Sequence, residues 1–431
     1  MAVTIALNPL RLLGVAPILA ACWQARFEKE NHMSNDRILI AGGGIGGLAT
    51  AMGLAQKGIR SLVLEKASQL GEIGAGIQLG PNAFHAFDYL GVGDRARDMA
   101  VYIDNLRLMD AMSGNEITRV PLDDAFRARF KNPYAVIHRG DLHGVFLKSC
   151  MENDLIELRT SAAVDSYDQD GSSVTATLSN GERVTGAALI GADGLWSNIR
   201  KQLVGDGAPR VSGHTTYRSV IPVDDMPEDL RWNAATLWAG PKCHIVHYPL
   251  SGWKLFNLVV TYHNDAAEPV AGKPVTHDEV RKGFEHISDL PRQIIEKGKD
   301  WKLWVLCDRD PIQNWVDGRV ALLGDAAHPM LQYFAQGACM AMEDAVALSH
   351  GMAQGGTVEQ TFQTYQEKRR LRTARVQLQS RWIGENIYHP AGGHADLRNA
   401  IMSEKTPQQW YDAVDWIYGG TGLAEGRDAI S

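Results

Sequence analysis

Residues 37–66 read RILIAGGGIGGLATAMGLAQKGIRSLVLEK and contain the strongest fold signal in the chain. A short apolar strand at 37–41 runs into a glycine-rich turn, and a helical pattern follows at 48–57. A second apolar strand at 61–64 ends in the acidic residue Glu65. This order predicts a βαβ unit of the Rossmann type, in which the glycine loop and the helix N-terminus bind the phosphates of a dinucleotide.

The residue types in this unit each meet a separate requirement. Gly42 permits the tight turn, Gly44 lets backbone N–H groups approach a pyrophosphate, and Gly47 lets the helix pack closely on the strand. Glu65 lies about twenty residues beyond Gly44, where it can accept hydrogen bonds from a ribose hydroxyl. A turn without a ligand is the weaker alternative. Glu65 alone does not separate FAD from NAD, because both carry an adenosine ribose.

Two further motifs follow apolar strands. One is GADGLWSNIR at 191–200, which contains Asp193, and the other is GRVALLGDAAHP at 318–329, which contains Asp325. At the second motif, Asp325 can bind the ribityl hydroxyls of a flavin, while the helix that begins near Gly337 faces its ring. Taken singly, either aspartate could equally be a helix cap or a turn former.

In this order the motifs resemble the single-component FAD-dependent aromatic hydroxylases, the family of para-hydroxybenzoate and salicylate hydroxylases. The resemblance implies FAD as the bound cofactor and NADH or NADPH as a transient reductant. The segment HRGDL at 138–142 and the segment GAGIQ at 74–78 match family stretches that contact FAD. The implied FAD-binding residues are Gly42, Gly44, Gly47, Glu65, Gly76, Arg139, Asp193 and Asp325.

Two segments resemble the 3-hydroxybenzoate 6-monooxygenases within this family. They are LQYFAQGACMAMEDA at 331–345 and GPKCHIVHYPL at 240–250. The resemblance places His244, Tyr248 and Gln332 in the substrate pocket. His244 and Tyr248 are four residues apart and share one face of a strand, whereas His247 faces the other way. The alternative is that both are half-buried strand residues with local hydrogen bonds.

The implied reaction converts 3-hydroxybenzoate and O₂ into gentisate through a flavin C4a-hydroperoxide. His244 is the expected acceptor or relay for the phenolic proton, because imidazole titrates near neutrality. Arg218 could bind the carboxylate, although such an arginine more often pairs with a protein carboxylate. The open alternatives are hydroxylation of salicylate or another hydroxybenzoate, a flavin halogenase, and a flavoprotein-fold binding module without turnover.

Composition limits the other possibilities. A net charge of −7 argues against a nucleic-acid partner, and the five scattered cysteines fit neither a disulfide framework nor a zinc site, so no metal is expected. No apolar run is long enough to span a membrane. Residues 1–32 contain an apolar run before Cys22 that resembles an export signal, but Met33 opens like a natural N-terminus. We therefore expect a spurious or disordered extension and a cytoplasmic enzyme.

The chain is predicted to divide into an α/β FAD-binding domain and an antiparallel substrate domain, with a helical C-terminus. The predicted limits are 33–208 and 307–356 for the FAD-binding domain, 209–306 for the substrate domain and 357–431 for the C-terminal region. The pattern of residues 357–387 predicts one long helix. Its charge run at 367–372 predicts a solvated face or one side of a homodimer contact. The aromatic residues Trp410, Tyr411, Trp416 and Tyr418 are expected to pack onto the body.

Overall fold

The computed structural model describes residues 36–71 and 75–420. The predictions for residues 1–32 and for Gly74 therefore lie outside the described residues. No described helix is long and apolar enough to cross a membrane.

The described residues form a mixed α/β structure. Its strands are β1 Ile38–Ala41, β2 Ser61–Leu64, β3 Gly76–Leu79, β4 Val101–Tyr102, β5 Asn105–Asp110, β6 Glu116–Pro121, β7 Ala135–His138, β8 Ile156–Arg159, β9 Val164–Gln169, β10 Val174–Leu178, β11 Arg183–Gly186, β12 Ala188–Gly191, β13 Arg210–Pro222, β14 Ala234–Gly240, β15 Cys243–Leu250, β16 Leu255–Ala266, β17 Lys273–Pro274, β18 Lys302–Asp308, β19 Val316–Asp317 and β20 Val320–Leu322. Its α-helices are α1 Ile45–Ala55, α2 Pro81–Tyr89, α3 Gly93–Met99, α4 Asp124–Phe130, α5 Arg139–Met151, α6 Asn198–Leu203, α7 His277–Arg281, α8 Asp289–Lys297, α9 Gly337–Ala353, α10 Val358–Ile383, α11 Gly393–Ser403 and α12 Pro407–Tyr418.

The first large sheet has the strand order β19–β20–β12–β1–β2–β8, and all pairs except β19 with β20 are parallel. Every residue of β1, β2 and β12 is buried, as continuous apolar runs in a parallel sheet require. Parallel strands end at one common edge. The glycine loop, Glu65, Asp193 and Asp325 each follow one of these strands, so the fold brings them to that edge.

The second large sheet has eight strands in the order β17–β18–β13–β16–β15–β14–β5–β6, and only the β14–β5 pair is parallel. Residues 105–121, which the predicted division assigns to the FAD-binding domain, form the hairpin β5–β6 of this sheet. The predicted domain boundary therefore divides this sheet, because β5 pairs with β14, which is far along the chain. The mixed fold with an antiparallel second sheet and a helical C-terminus is confirmed.

The C-terminal region packs back onto the body as predicted. Tyr411 and Tyr418 of α12 are buried, and their rings contact Phe126 and Phe130 of α4 edge-on. Helix α10 is the predicted long helix, and it continues into a π-helical turn at Gly384–Tyr388.

The prediction of a solvated face for the charge run at 367–372 is wrong for two of its arginines. Arg369 and Arg372 are 1% and 2% exposed, and both contact Glu343 of α9. Helical periodicity explains the error, because residues three apart share one face, and this face lies against α9. Lys368 in the same run is exposed, as the sequence predicts.

Candidate active site

One cavity of about 580 Å³ opens at the shared edge of the parallel strands and extends beneath the eight-stranded sheet. Ten predicted site residues line it: Gly42, Gly44, Glu65, Gly76, Arg139, Asp193, His244, Tyr248, Asp325 and Gln332. Gly47 lies in α1 behind the loop and does not line the cavity. The tertiary structure therefore joins the segments predicted for the cofactor with those predicted for the substrate.

The glycine loop is shaped by close contacts that exclude side chains. Gly42 has a φ of +109°, and a Cβ there would come within 2.3 Å of the Ala192 carbonyl oxygen. A Cβ on Gly47 would come within 1.9 Å of the Gly42 carbonyl oxygen. Both positions therefore require glycine for the reasons that the sequence predicts.

The cavity presents main-chain donors at the start of α1. The N-cap residue of α1 is Gly44, so no side chain caps the free N–H groups of the first turn, and that turn contains no acidic residue. The partial positive charge of the helix N-terminus is thus available to an anion. Glu65 lies beside the loop, where its two carboxylate oxygens accept hydrogen bonds from Gly43 N at 2.7 Å and Ala67 N at 2.8 Å.

Asp193 follows β12 and has one carboxylate oxygen committed to the protein. Oδ2 accepts hydrogen bonds from the backbone N–H groups of Asn198 and Ile199 at 2.9 and 3.3 Å. Oδ1 is buried and has no partner in the described structure. Burial raises the pKa of Asp193, against the lowering effect of its hydrogen bonds. An unpartnered buried oxygen at the cavity wall fits a ligand hydroxyl.

The segment at Gly76 connects the two sides of the cavity. Its backbone N–H donates to Asn257 Oδ1 of β16 at 2.8 Å, and a Cβ there would lie 2.4 Å from the ring of Tyr248. Tyr248 is buried, and its hydroxyl has no hydrogen-bond partner within the described residues. Burial raises the pKa of Tyr248, so the hydroxyl stays protonated and can donate.

Gln332 is committed to neighbouring side chains. Its Nε2 donates to the hydroxyls of Thr216 and Thr261 at 3.1 and 3.2 Å, and its Oε1 accepts from Arg218 Nη2 at 2.7 Å. Arg218 also lines the cavity, and no carboxylate pairs with it in the part of the chain that the structure describes. Burial lowers the pKa of Arg218, the neighbouring Tyr248 opposes this shift and the Arg139 charge adds to it, but arginine stays charged at neutral pH.

His244 is only 1% exposed, and its Nδ1 is 2.8 Å from Nε2 of His389. Nε2 of His244 has no partner among the described residues and remains for a cavity ligand. Burial lowers the pKa of His244 well below its usual range, and the nearby His389 and His214 add to this shift. His244 is therefore neutral at pH 7. As predicted, His247 lies on the opposite face of β15, where its ring contacts Trp238.

Three features in or beside the cavity were not predicted: the charge of Arg218, which lines it and is unpaired in the described structure, and Asn257 and His389, which bond to the lining residues Gly76 and His244. The sequence does not indicate that Arg218 lacks a carboxylate partner among the described residues, because ion pairing depends on segments that are distant in the chain. Asn257 and His389 lie in segments without a motif, and they reach the site only through sheet pairing and through the turn after α10. His328, by contrast, is buried, and its Nε2 lies 2.5 Å from Asp344 Oδ2.

The model of an FAD-binding domain matches residues 36–380 of the chain. The chain belongs to this FAD-binding family. Its relatives include 3-hydroxybenzoate 6-hydroxylase 1 of Aquipseudomonas alcaligenes, which is 56% identical over 89% of this chain and 98% of that protein. The 3-hydroxybenzoate 6-hydroxylase of Polaromonas naphthalenivorans is 49% identical over 89% of this chain and 95% of that protein. The chain is thus an FAD-dependent aromatic monooxygenase, as predicted.

Solved structures support the fold. HpxO of Klebsiella pneumoniae complexed with FAD and uric acid superposes with a TM-score of 0.80 at 24% identity, covering 90% of this chain and 98% of that one. A salicylate hydroxylase substrate complex gives a TM-score of 0.76 at 24% identity, covering 92% and 99%. No group of described histidine, cysteine, aspartate or glutamate residues could hold a metal ion, and Cys150, Cys243, Cys307 and Cys339 are free thiols.

Proposed function

We propose that this enzyme hydroxylates 3-hydroxybenzoate para to its phenol to give gentisate, using FAD, O₂ and NADH or NADPH. The observation that carries the proposal is the presence of a half-buried cation and a neutral histidine in one cavity. Arg218 has no carboxylate partner among the described residues, and His244 keeps one ring nitrogen for a ligand. The names of the relatives at 49% and 56% identity support the same substrate.

FAD fits the loop side of the cavity. The main-chain donor of Gly44 and the uncapped start of α1 would hold the pyrophosphate, and Glu65 would accept from the ribose. Asp193, whose Oδ1 is unpartnered, and Asp325 would hold further cofactor hydroxyls, and Gly76 and Arg139 would border the ring. When bound and reduced, FAD supplies the activation of O₂.

The protein side chains would bind and ionise the substrate. Arg218 would pair with the carboxylate, and its orientation is fixed by Gln332. His244 Nε2 would accept the phenolic proton, which makes the ring electron-rich and favours electrophilic attack at its para position. Tyr248 would donate its hydroxyl to the substrate. In this assignment Gln332 positions Arg218 and does not take part in the proton transfer.

The test is oxidation of NADH and of NADPH by the FAD-loaded enzyme with and without 3-hydroxybenzoate, together with chromatography of the product and assay of H₂O₂. We expect stimulated oxidation, stoichiometric gentisate and little H₂O₂. Catechol formed from salicylate would favour the second candidate, salicylate hydroxylation. Stimulation with H₂O₂ as the only product would make 3-hydroxybenzoate an effector and overturn the proposal.

The dependence on a nicotinamide reductant agrees with a cytoplasmic location.

A further inference from the structure

Four histidine rings form a row from the cavity to the protein surface. We define the histidine row as His244, His389, His214 and His263. The His244 and His389 rings share the 2.8 Å hydrogen bond, the His389 and His214 ring centroids are 5.1 Å apart, and those of His214 and His263 are 4.2 Å apart. The row begins at the buried His244 and ends at His263, whose side chain is 32% exposed.

His389 occupies the second place because of the turn that follows α10. The π-helical turn closes with a hydrogen bond of 3.1 Å from His389 N to the Gly384 carbonyl oxygen. Gly384 lies against Tyr333, since a Cβ there would be 2.6 Å from that ring. The His389 carbonyl also accepts from Lys242 N at 3.3 Å. Single π turns inside helices are frequent at functional sites, and here the turn brings a C-terminal residue to the substrate strand β15.

The electrostatics of the row keep its inner rings neutral. Burial lowers the pKa of His389 to about 3 and that of His214 to about 4, and the charges of neighbouring histidines add to both shifts. The other titratable or charged groups that face these rings are Tyr333, Tyr388, Arg210, Asp265 and Asp308. A neutral imidazole has one N–H and one lone pair, so each ring can accept a proton on one side and release one on the other.

We propose that His389 relays the phenolic proton of the substrate from His244 to solvent, at the outer end of the histidine row where His214 and His263 lie. This inference rests on the proposed function. In the step, the phenol O–H bond breaks and an N–H bond forms at His244 Nε2. The proton on His244 Nδ1 passes to His389 Nε2, and the proton on His389 Nδ1 leaves to water. No imidazolium accumulates, and the phenolate keeps the electron pair of its broken bond.

The groups around His244 favour the histidine row as the path by which its proton leaves. His244 has almost no contact with solvent of its own, so a proton it receives needs a partner through which to leave. The Tyr388 hydroxyl donates to the Tyr333 carbonyl oxygen at 3.1 Å, and burial raises the pKa of Tyr388, so this hydroxyl is not poised to accept the proton. His389 is therefore a positioning and relay residue that acts through His244.

The experiment compares His389→Gln with a matched control, His277→Gln, in the FAD-loaded enzyme. A glutamine at 389 retains a hydrogen bond to His244 but cannot shuttle a proton between two nitrogens. His277 lies on α7 outside the row and bonds the Ile295 carbonyl oxygen. A bound nitro-substituted 3-hydroxybenzoate serves as the probe, because its phenolate absorbs visible light. After a rapid rise in pH, stopped-flow absorbance measures how fast the bound phenol ionises.

We expect His389→Gln to slow this ionisation at least tenfold and to lower kcat by about 10²-fold, with KM changed less than threefold. His277→Gln should match the wild type. Added imidazole should restore the ionisation rate and kcat of His389→Ala. Ionisation and kcat of His389→Gln within twofold of the wild type would overturn the relay, and so would a loss that imidazole does not restore.

Failure of the relay and failure of the proposed function give different results. If the wild type forms no gentisate but the bound probe still ionises more slowly in His389→Gln, the relay stands and the reaction is reassigned. If the wild type forms gentisate and His389→Gln is unaffected, the reaction stands and the relay is wrong.

Discussion

Two arginine sites in this protein, one buried between helices and one half-buried at the cavity wall, differ in what surrounds them. Between α9 and α10, Arg369 Nε is 2.7 Å from Asp344 Oδ1 and Arg369 Nη1 is 2.5 Å from Glu343 Oε2. Arg372 adds a second cation to Glu343 at 2.7 Å. In the cavity, Arg218 has the neutral amide of Gln332 as its acceptor and no carboxylate partner within the described residues.

The difference separates a structural charge from one prepared for a ligand. A buried ion is costly unless paired, and the network at Arg369 contains its own counter-charges. Arg218 keeps the cost of desolvation without that compensation. A protein retains such a group when an anion from outside completes the pair, and the benzoate carboxylate has the required charge and planar geometry. The same substitution should therefore have opposite effects at the two sites.

The largest expected effect is on stability, from Arg369→Met. The change leaves Glu343 and Asp344 buried with one cation fewer, so we expect the free energy of unfolding to fall by about 3–5 kcal/mol. Urea unfolding of the FAD-loaded enzyme measures it. Lys368→Met, one residue away and exposed, is the control and should change stability by less than about 0.5 kcal/mol. Equal stability of the two variants would refute a structural role for the network.

Arg218→Met should leave stability unchanged or raise it, because it removes a half-buried charge without a protein counter-charge. The variant loses a charge-assisted pair with the substrate worth about 1.5–3 kcal/mol, so KM for 3-hydroxybenzoate should rise about 10- to 150-fold. Steady-state kinetics and urea unfolding measure the two effects.

A substrate analogue provides the control for Arg218→Met. With 3-hydroxybenzyl alcohol, which lacks the carboxylate, the wild type and the variant should bind with similar affinity. An equal loss of affinity for both compounds would mean that Arg218 shapes the cavity and does not bind the carboxylate.

Acidification should bring the Arg369→Met variant and the wild type closer together. In the wild type, burial alone would raise the pKa of Glu343, but Arg372 and Arg369 outweigh burial and lower the pKa. Burial likewise would raise the pKa of Asp344, but His328 and Arg369 lower it. These lowered pKa values give stability that is present above about pH 4 and is lost as the pH falls through them. Without Arg369 the folded carboxyls take up protons at higher pH.

The deficit of Arg369→Met should therefore shrink by about 1–2 kcal/mol between pH 7 and pH 5. Arg218→Met should show no such change relative to the wild type, since no carboxylate pairs with Arg218 among the described residues. Urea unfolding as a function of pH measures both variants. Parallel stability curves for Arg369→Met and the wild type would contradict the pairing described here.

The smallest effect is expected from Gln332→Met, which removes the acceptor that orients Arg218. Because Gln332 acts on the substrate only by orienting Arg218, which keeps its charge, we expect a loss of about 0.5–1.4 kcal/mol, so KM should rise about two- to tenfold with little change in kcat. A hundredfold loss of kcat with unchanged KM would instead show that Gln332 acts on the reacting phenol.

The cofactor half of the molecule could be predicted from sequence because its determinants are local. Gly42, Gly47 and Glu65 belong to one βαβ unit, and the contacts that demand glycine form within it or against the next parallel strand. Strand β2 and the start of α9 lie where the sequence predicts. The period of two in β15 correctly separates His244 and Tyr248 from His247.

Short-range periodicity and glycine geometry encode the dinucleotide fold, the acidic strand ends and the inward face of the substrate strand, so these could be predicted from the amino acids alone. Which charged groups have a partner, by contrast, became visible only in the folded chain. Arg369 and Arg372 meet α9, Arg218 meets Gln332, and His389 meets His244, in every case across segments distant in the chain. The physical reason is that the energy of a charge or a proton site depends on its neighbours in space, and periodicity does not specify those neighbours.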